Sequence, residues 1–152
     1  MRTVVQRVTS ATVRWDGGDS SIGRGYCVLI GVADTDQDRD ADYLADKLLK
    51  LRVFSDEAGK FNLSATQVHA AFLVISQFTL FADARGQNRP SFLHAARPEQ
   101  GRPLLSRFIA RLQASGLHVE TGSFGAQMAV ELVNDGPVTI VLSTDAWDPR
   151  IG

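Results

Sequence analysis

The 152-residue chain has one cysteine, Cys27, so it can form no internal disulfide. That cysteine lies in the apolar run YCVLIGV, where a buried structural thiol is the expected role. The three histidines, at 69, 94 and 118, stand apart, and neither an HExxH nor a paired CxxC occurs. No metal site and no metal cofactor are therefore expected. The chain also lacks a GxxxxGK[ST] loop to cradle phosphates, a GxGxxG after a strand and a GxSxG elbow to present a serine, which removes the advertised forms of nucleotide binding and serine hydrolysis. A triad assembled from distant positions stays open. No apolar run approaches the roughly 18 residues of a membrane span, and the opening MRTVVQRVTSATV alternates like a strand rather than like a signal peptide. The expectation is a cytoplasmic protein with no membrane partner.

What is present reads as one domain over residues 1–152, since 44% hydrophobic and 22% charged residues are ordinary for a soluble fold and this length can bury a core unaided. The net charge of −1 hides an uneven spread: between Asp83 and Arg111 lie six arginines (85, 89, 97, 102, 107 and 111) and two acids, Asp83 and Glu99, a local net of +4. Such a region could hold a phosphate backbone. It could equally be a solvated loop and helix face.

Along the chain, residues 1–9 and 11–15 read as two strands and 24–32 as a buried strand. Thr35 with Asp38 makes a capping-box pattern before Tyr43, Leu44, Leu48 and Leu51, which predicts a helix over about 36–50. Residues 55–59 form a turn between short strands, and FLVISQFTLF over 72–81 has strand length and strand composition. Pro103 suits the first turn of a second helix that Gly116 ends. Two last strands follow, over about 126–133 and 138–144. The fold class is mixed α/β, mainly an antiparallel, barrel-like β-sheet with two helices.

Two stretches break these patterns. NDGPVT, Asn134 to Thr139, sits between apolar runs like a hairpin tip, yet Pro137 has no N–H with which to close a turn. SQFTL, Ser76 to Leu80, sets Ser, Gln and Thr into an apolar strand. Those polar groups need partners if buried: the stretch is either an edge strand meeting water or a strand end whose free N–H groups line a pocket and bind an ester's developing oxyanion.

With both stretches read, the chain closely resembles the D-aminoacyl-tRNA deacylase family, first known as D-tyrosyl-tRNA deacylases. The likeness runs through MRTVVQRVTSATV, SQFTLF, RGQNRPSF and NDGPVT, in family order and spacing. It implies hydrolysis of the ester of D-aminoacyl-tRNA, and to some extent of glycyl-tRNA, with L-aminoacyl-tRNA rejected. It implies a homodimer whose interface active sites are lined by SQFTL of one subunit and capped by a cis Gly136–Pro137 bond of the other. A rigid wall of that kind excludes an L side chain rather than recognising a D one. The Phe78 and Thr79 backbone N–H groups become candidate oxyanion donors, and Ser76 and Gln77 shape the pocket for the terminal adenosine. Met128 lines that pocket or is simply core. Gly136, Pro137 or a neighbour holds the substrate's ammonium, and Arg7, with Asn134 and Thr139 in support, orients the tip; otherwise Arg7 is a solvent-facing strand residue. Arg85 and Arg89 become candidates for tRNA phosphates. The implied chemistry recruits the tRNA 2′-hydroxyl, and Thr79 as a covalent nucleophile is the rival. Aminoacyl-tRNA is the expected partner, DNA is not, and no cofactor is needed. A non-catalytic RNA-binding module and a small-molecule D-ester esterase are the alternatives.

Overall fold

The computed structural model describes residues 1–146. Its organising element is β1 (Arg2–Trp15), which pairs antiparallel with β8 (Met128–Ser143) along one edge for its whole length. Its other edge is shared: residues 2–8 pair with β3 (Gly25–Gly31) and residues 11–15 with β2 (Gly18–Ile22). The two strands expected over 1–9 and 11–15 are thus one. What looked like a break at Thr9-Ser10 is an exposed bend, where β1 passes from β3 to β2 and its register against β8 shifts. Bulges of this kind bend a strand without ending it.

Beyond β3 the sheet turns parallel, through β6 (Ala71–Ser76) and then β7 (Val119–Thr121), a strand that periodicity did not reveal. Burial explains the near-continuous apolar runs in β3 and β6, because parallel strands are covered on both faces. Phe72 and Val74 of β6 enter one core cluster with Tyr26, Val28 and Ile30 of β3, while Leu73 and Ile75 join Cys27, Val8, Ala11 and Val13 in a second. Burial pushes the Cys27 thiol up to about 11, which suits packing and not nucleophilic chemistry. A small antiparallel pair, β4 (Phe54–Ser55) and β5 (Phe61–Leu63), flanks the turn expected over 55–59. The Asp56 carboxylate closes that turn by accepting the N–H groups of Ala58 and Lys60.

Both helices cover the first cluster. α1 (Asp38–Lys50) inserts Leu44 and Leu48, and α2 (Pro98–Gln113) inserts Leu104, Phe108 and Leu112; each fully buried side chain of this size contributes roughly 1.5–3 kcal/mol. The start of α1 is set by Gln37, whose N–H donates to Asp40 at 2.9 Å, and not by Thr35 with Asp38. α2 begins five residues before the expected position, because Pro98 occupies the first helical position and Pro103 lies inside. Pro103 deprives only the Glu99 carbonyl of its partner, in an exposed first turn where water can replace it.

The helices also settle two of the six clustered arginines. Arg107 bridges Asp38 and Asp42 of α1 at 2.9 and 2.7 Å, and Arg111 meets Asp46 at 2.8 Å. The hydrogen bonds from these guanidinium groups hold the Asp42 and Asp46 carboxyls below their ordinary range. Part of the basic patch counted along the chain is therefore neutralised in three dimensions.

Candidate active site

The site begins where β6 ends. Gln77 N–H makes the last rung to Ile30 O at 2.8 Å, and the chain then curls into a 3-10 turn over Phe78–Phe81. The strand expected over 72–81 stops at Ser76 for this reason. The turn's own bonds run from Leu80 N–H to Gln77 O and from Ala82 N–H to Thr79 O, leaving the Phe78 and Thr79 amides without an acceptor among the described residues. Phe78 and Thr79 are both exposed and Phe78 lines a cavity, so these two adjacent amides are open to an acyl oxygen presented from outside the fold.

The cavity measures about 560 Å³, within the usual range for small-molecule sites. Ile75, Ser76, Gln77 and Phe78 form one wall, the segment from Phe92 to Pro98 a second, and Phe124 to Val130 a third. Met128 both lines the cavity and packs against the second core cluster, so its two readings coexist. Phe78 is 56% exposed and meets Phe92 edge-on at 5.1 Å. The Thr79 hydroxyl accepts a short hydrogen bond from the Gln77 side-chain amide. An amide cannot take a hydroxyl proton, and no His or carboxylate partners Thr79 among the described residues, which weakens the nucleophile reading.

NDGPVT is not a hairpin. Residues 128–133 and 139–143 pair with the same strand, β1, on either side of a loop-out: Val8 faces Asn134 and Gln6 faces Thr139, so five steps along β8 answer two along β1. The apolar runs flanking the motif looked like hairpin arms because each is a strand; only long-range pairing reveals that they are collinear. The closure that Pro137 cannot supply comes from Asn134, whose side-chain oxygen accepts Val138 N–H at 2.7 Å and whose nitrogen donates to Thr139 Oγ1 at 2.9 Å. Gln6 also donates to Thr139 Oγ1. The Gly136–Pro137 bond is cis and both residues are exposed. Gly136 has φ +144°, and a Cβ there would lie 2.9 Å from Val138 N, so this position is reserved for glycine.

Beneath the loop-out lies Arg7. Its solvent-facing reading is overturned: the residue is 7% exposed, because Asp135 of the loop-out, Val53 just before β4 and Phe61 of β5 close over it. Nε donates to Asp135 O at 2.9 Å, Nη1 donates to Val53 O at 2.5 Å, and the Asp135 carboxylate lies 3.3 Å from Nε. A rigid guanidinium fork is suited to fixing backbone carbonyls in this way.

The structure therefore brings Ser76, Gln77, Phe78 and Met128 to one cavity and Arg7, Asn134, Gly136, Pro137 and Thr139 to another place. Met128 pairs with Trp15 and Asn134, at the foot of the loop-out, with Val8, so seven residues of extended β1, a span of roughly 23 Å, separate the two places. Of the arginines, Arg85 is held by Asp83, with Nη2 to Oδ2 at 2.6 Å and Nε to Oδ1 at 2.9 Å, and Arg89 is exposed in the same loop. Phe92 and Phe124 line the cavity without having been singled out, and Arg97, counted in the sequence only as one of six clustered arginines, lines it too. Phe92 lay within the quoted RGQNRPSF segment, whereas nothing local marks Phe124.

No helix among the described residues is long and apolar enough to cross a membrane. Residues 4–143 match the family model described as D-Tyr-tRNA(Tyr) deacylase. A protein named D-aminoacyl-tRNA deacylase from Symbiobacterium thermophilum is 54% identical over 147 residues, covering 95% of this chain and 97% of its own. One of the same name from Anaeromyxobacter dehalogenans is 55% identical over 145 residues, with 95% and 97% covered. A solved structure titled c-Myc DNA Unwinding Element Binding Protein superposes with TM-score 0.88 at 41% identity, covering 96% of this chain and all of that one. Near-complete coverage at this identity, together with the fold and the cavity just described, establishes that the chain belongs to the D-aminoacyl-tRNA deacylase family.

Proposed function

We propose that the protein is a hydrolase that cleaves the ester of D-aminoacyl-tRNA, releasing the D-amino acid and tRNA. The observation that carries this reading is the pair of adjacent unclaimed amides in the exposed turn that follows β6, that of Phe78, which lines the cavity, and that of Thr79, the next residue beyond the lining. Water adds to the ester carbonyl, the tetrahedral oxygen takes up the charge against those two N–H groups, and the bond to the ribose 3′-oxygen breaks as that oxygen gains a proton. An aminoacyl ester is reactive enough that an oxyanion site and an oriented water suffice, with the adjacent 2′-hydroxyl of the tRNA assisting. Ser76, Gln77 and Met128 shape the space around the terminal adenosine.

Chiral selection belongs to the Gly136–Pro137 loop-out of a second subunit. Support comes from its separation from the cavity within one chain and from the free outer edge of β8, which bears exposed Val130, Val133 and Val141. A long apolar edge of this kind invites a second copy. Exclusion by a wall leaves D side chains of different size acceptable and lets glycine, which has no Cβ, be hydrolysed to some extent.

Incubation with D-Tyr-tRNA and L-Tyr-tRNA is expected to release only the D-amino acid, and Thr79→Ala is expected to retain most of that rate. The active species should sediment as a dimer. Binding of both tRNAs without hydrolysis would replace the enzyme with an RNA-binding module, and hydrolysis of D-tyrosine methyl ester in place of the tRNA ester would favour a small-molecule esterase. An active monomer would remove the cross-subunit clamp.

Arg85 and Arg89 are assigned to tRNA phosphates. Replacing both with alanine should weaken tRNA binding and flatten its dependence on salt; an unchanged titration would sink the assignment. The absence of a DNA partner is an expectation, and a duplex-DNA arm in the same titration checks it.

A further inference from the structure

Five of the six arginines of the 83–111 segment divide into two kinds once folded, and the sixth, Arg89, is exposed in the same loop as Arg85. Arg107 and Arg111 are consumed by the acids of α1, whereas Arg85, though paired with Asp83, keeps a side chain that is 67% exposed and lies in a loop apart from the cavity lining. Arg97 and Arg102 are exposed and have no acidic partner among the described residues, although Glu99 stands between them in sequence. Both belong to the cavity rim. Arg97 lines the cavity directly beside Pro98. Arg102 lies four residues after Pro98, on the same helix face, and its guanidinium sits 4.5 Å from the centroid of Phe124, itself a cavity residue.

A cavity walled by Phe78, Phe92, Phe124 and Met128, with two unneutralised guanidinium groups on one lip, is polarised in a particular way. The interior suits a flat, uncharged ring, and the lip suits anions spaced along a chain. Single-stranded nucleic acid has that combination, with bases that stack on aromatic faces and a phosphate at each step. Arginine is the side chain whose planar fork matches a phosphate while its face rests on an aromatic ring. We propose that Arg97 and Arg102 hold the phosphates next to the terminal nucleoside, and so thread the single-stranded acceptor end of the tRNA into the cavity. This inference rests on the deacylase reading and deepens it, naming the residues that distinguish a tRNA ester from a free aminoacyl nucleoside.

The test compares D-Tyr-tRNA with D-tyrosyl-adenosine, which has the same ester and base but no phosphate. Arg97→Ala and Arg102→Ala should each raise KM for the tRNA substrate by about tenfold, and the double variant should reduce the slope of log KM against log salt by about 1.4, or about 0.7 per phosphate on a single strand. Turnover of D-tyrosyl-adenosine should be unchanged, which also reports that the variants are folded. Arg102→Lys should keep the salt slope while losing part of the affinity, because the charge stays and the stacked plane goes. Arg107→Gln, on the same helix but ion-paired to α1, should leave both substrates untouched. Equal loss on both substrates would overturn the proposal by making the arginines cavity residues, and no loss on either would overturn it outright. If the wild-type protein cleaved neither ester, the deacylase reading would fail instead, and this inference with it.

Discussion

Arg7→Ala is expected to lower stability by about 3 kcal/mol, since it removes a buried charge and leaves Asp135 and two carbonyls without it. The value lies at the low end for a broken buried pair because the Asp135 side chain is 42% exposed. The functional effect should be larger. Among the described residues Arg7 is the side chain that ties the loop-out to the segment just before β4, through Asp135 O and Val53 O, so its loss frees the loop-out that we propose as the chiral wall. A displacement on the scale of 1 Å can cost about 10²-fold in rate. The D-Tyr-tRNA rate of the variant should fall by that order, and its preference for the D over the L ester should narrow. Arg7→Lys should recover part of the stability but little of the selectivity, because an ammonium cannot reproduce the two-way fork. Urea unfolding and paired D and L hydrolysis assays separate the two effects. An unaltered ratio of D to L rates would mean that Arg7 is structural only.

Gly25→Ala should be at least as damaging to the fold. Gly25 lies where β1 hands over from β3 to β2, and it pairs with Ala71 at the start of the parallel ladder that leads to the site. A Cβ at this position would fall 1.9 Å from Ala71 O and 2.7 Å from Ala71 N and C. These are backbone atoms that cannot swing aside, so β3 and β6 would have to separate. Overpacking costs typically 1–3 kcal/mol, and with rigid backbone as the obstacle about 3 kcal/mol or more is expected. The thermal midpoint of this single variant measures the loss; a midpoint equal to wild type would show that the ladder shifts at little cost. Because β6 carries Ser76 and the turn after it, activity should fall along with stability.

The elements legible in the sequence were those whose signal is local. Leu44 and Leu48 at helical spacing, the turn around Asp56, and the alternation in MRTVV each depend on neighbours within a few residues, and the corresponding elements appear within a residue or two of expectation. The errors were of another kind. Pro103 was a sound signal for a helix start in the wrong turn, because Pro98 supplies the same one earlier. Residues 78–81 have strand composition, yet they curl because the β3 rung at Ile30 O is the last one available to them. NDGPVT carries the residues of a tip, but whether a tip turns the chain back or merely loops out of one strand depends on what its flanks pair with.

The candidate site followed the same division. Residue types alone marked SQFTL and NDGPVT as anomalous, since polar groups in an apolar strand and a proline at a turn closure each conflict with a local rule, and such conflicts collect at functional positions. Residue types also excluded a metal cluster motif and a phosphate loop. They did not reveal that Arg107 and Arg111 spend their charge on α1, that Arg97 and Arg102 do not, or that Phe124 joins Phe78 and Phe92 around one cavity. Sequence by itself determined the fold class, the family and the two anomalous motifs, because hydrophobic periodicity, turn chemistry and residue type act over a few neighbours. Only the tertiary structure decided which strand NDGPVT interrupts, which amides remain unclaimed and which charges remain unneutralised, because pairing and compensation are made between residues far apart in the chain.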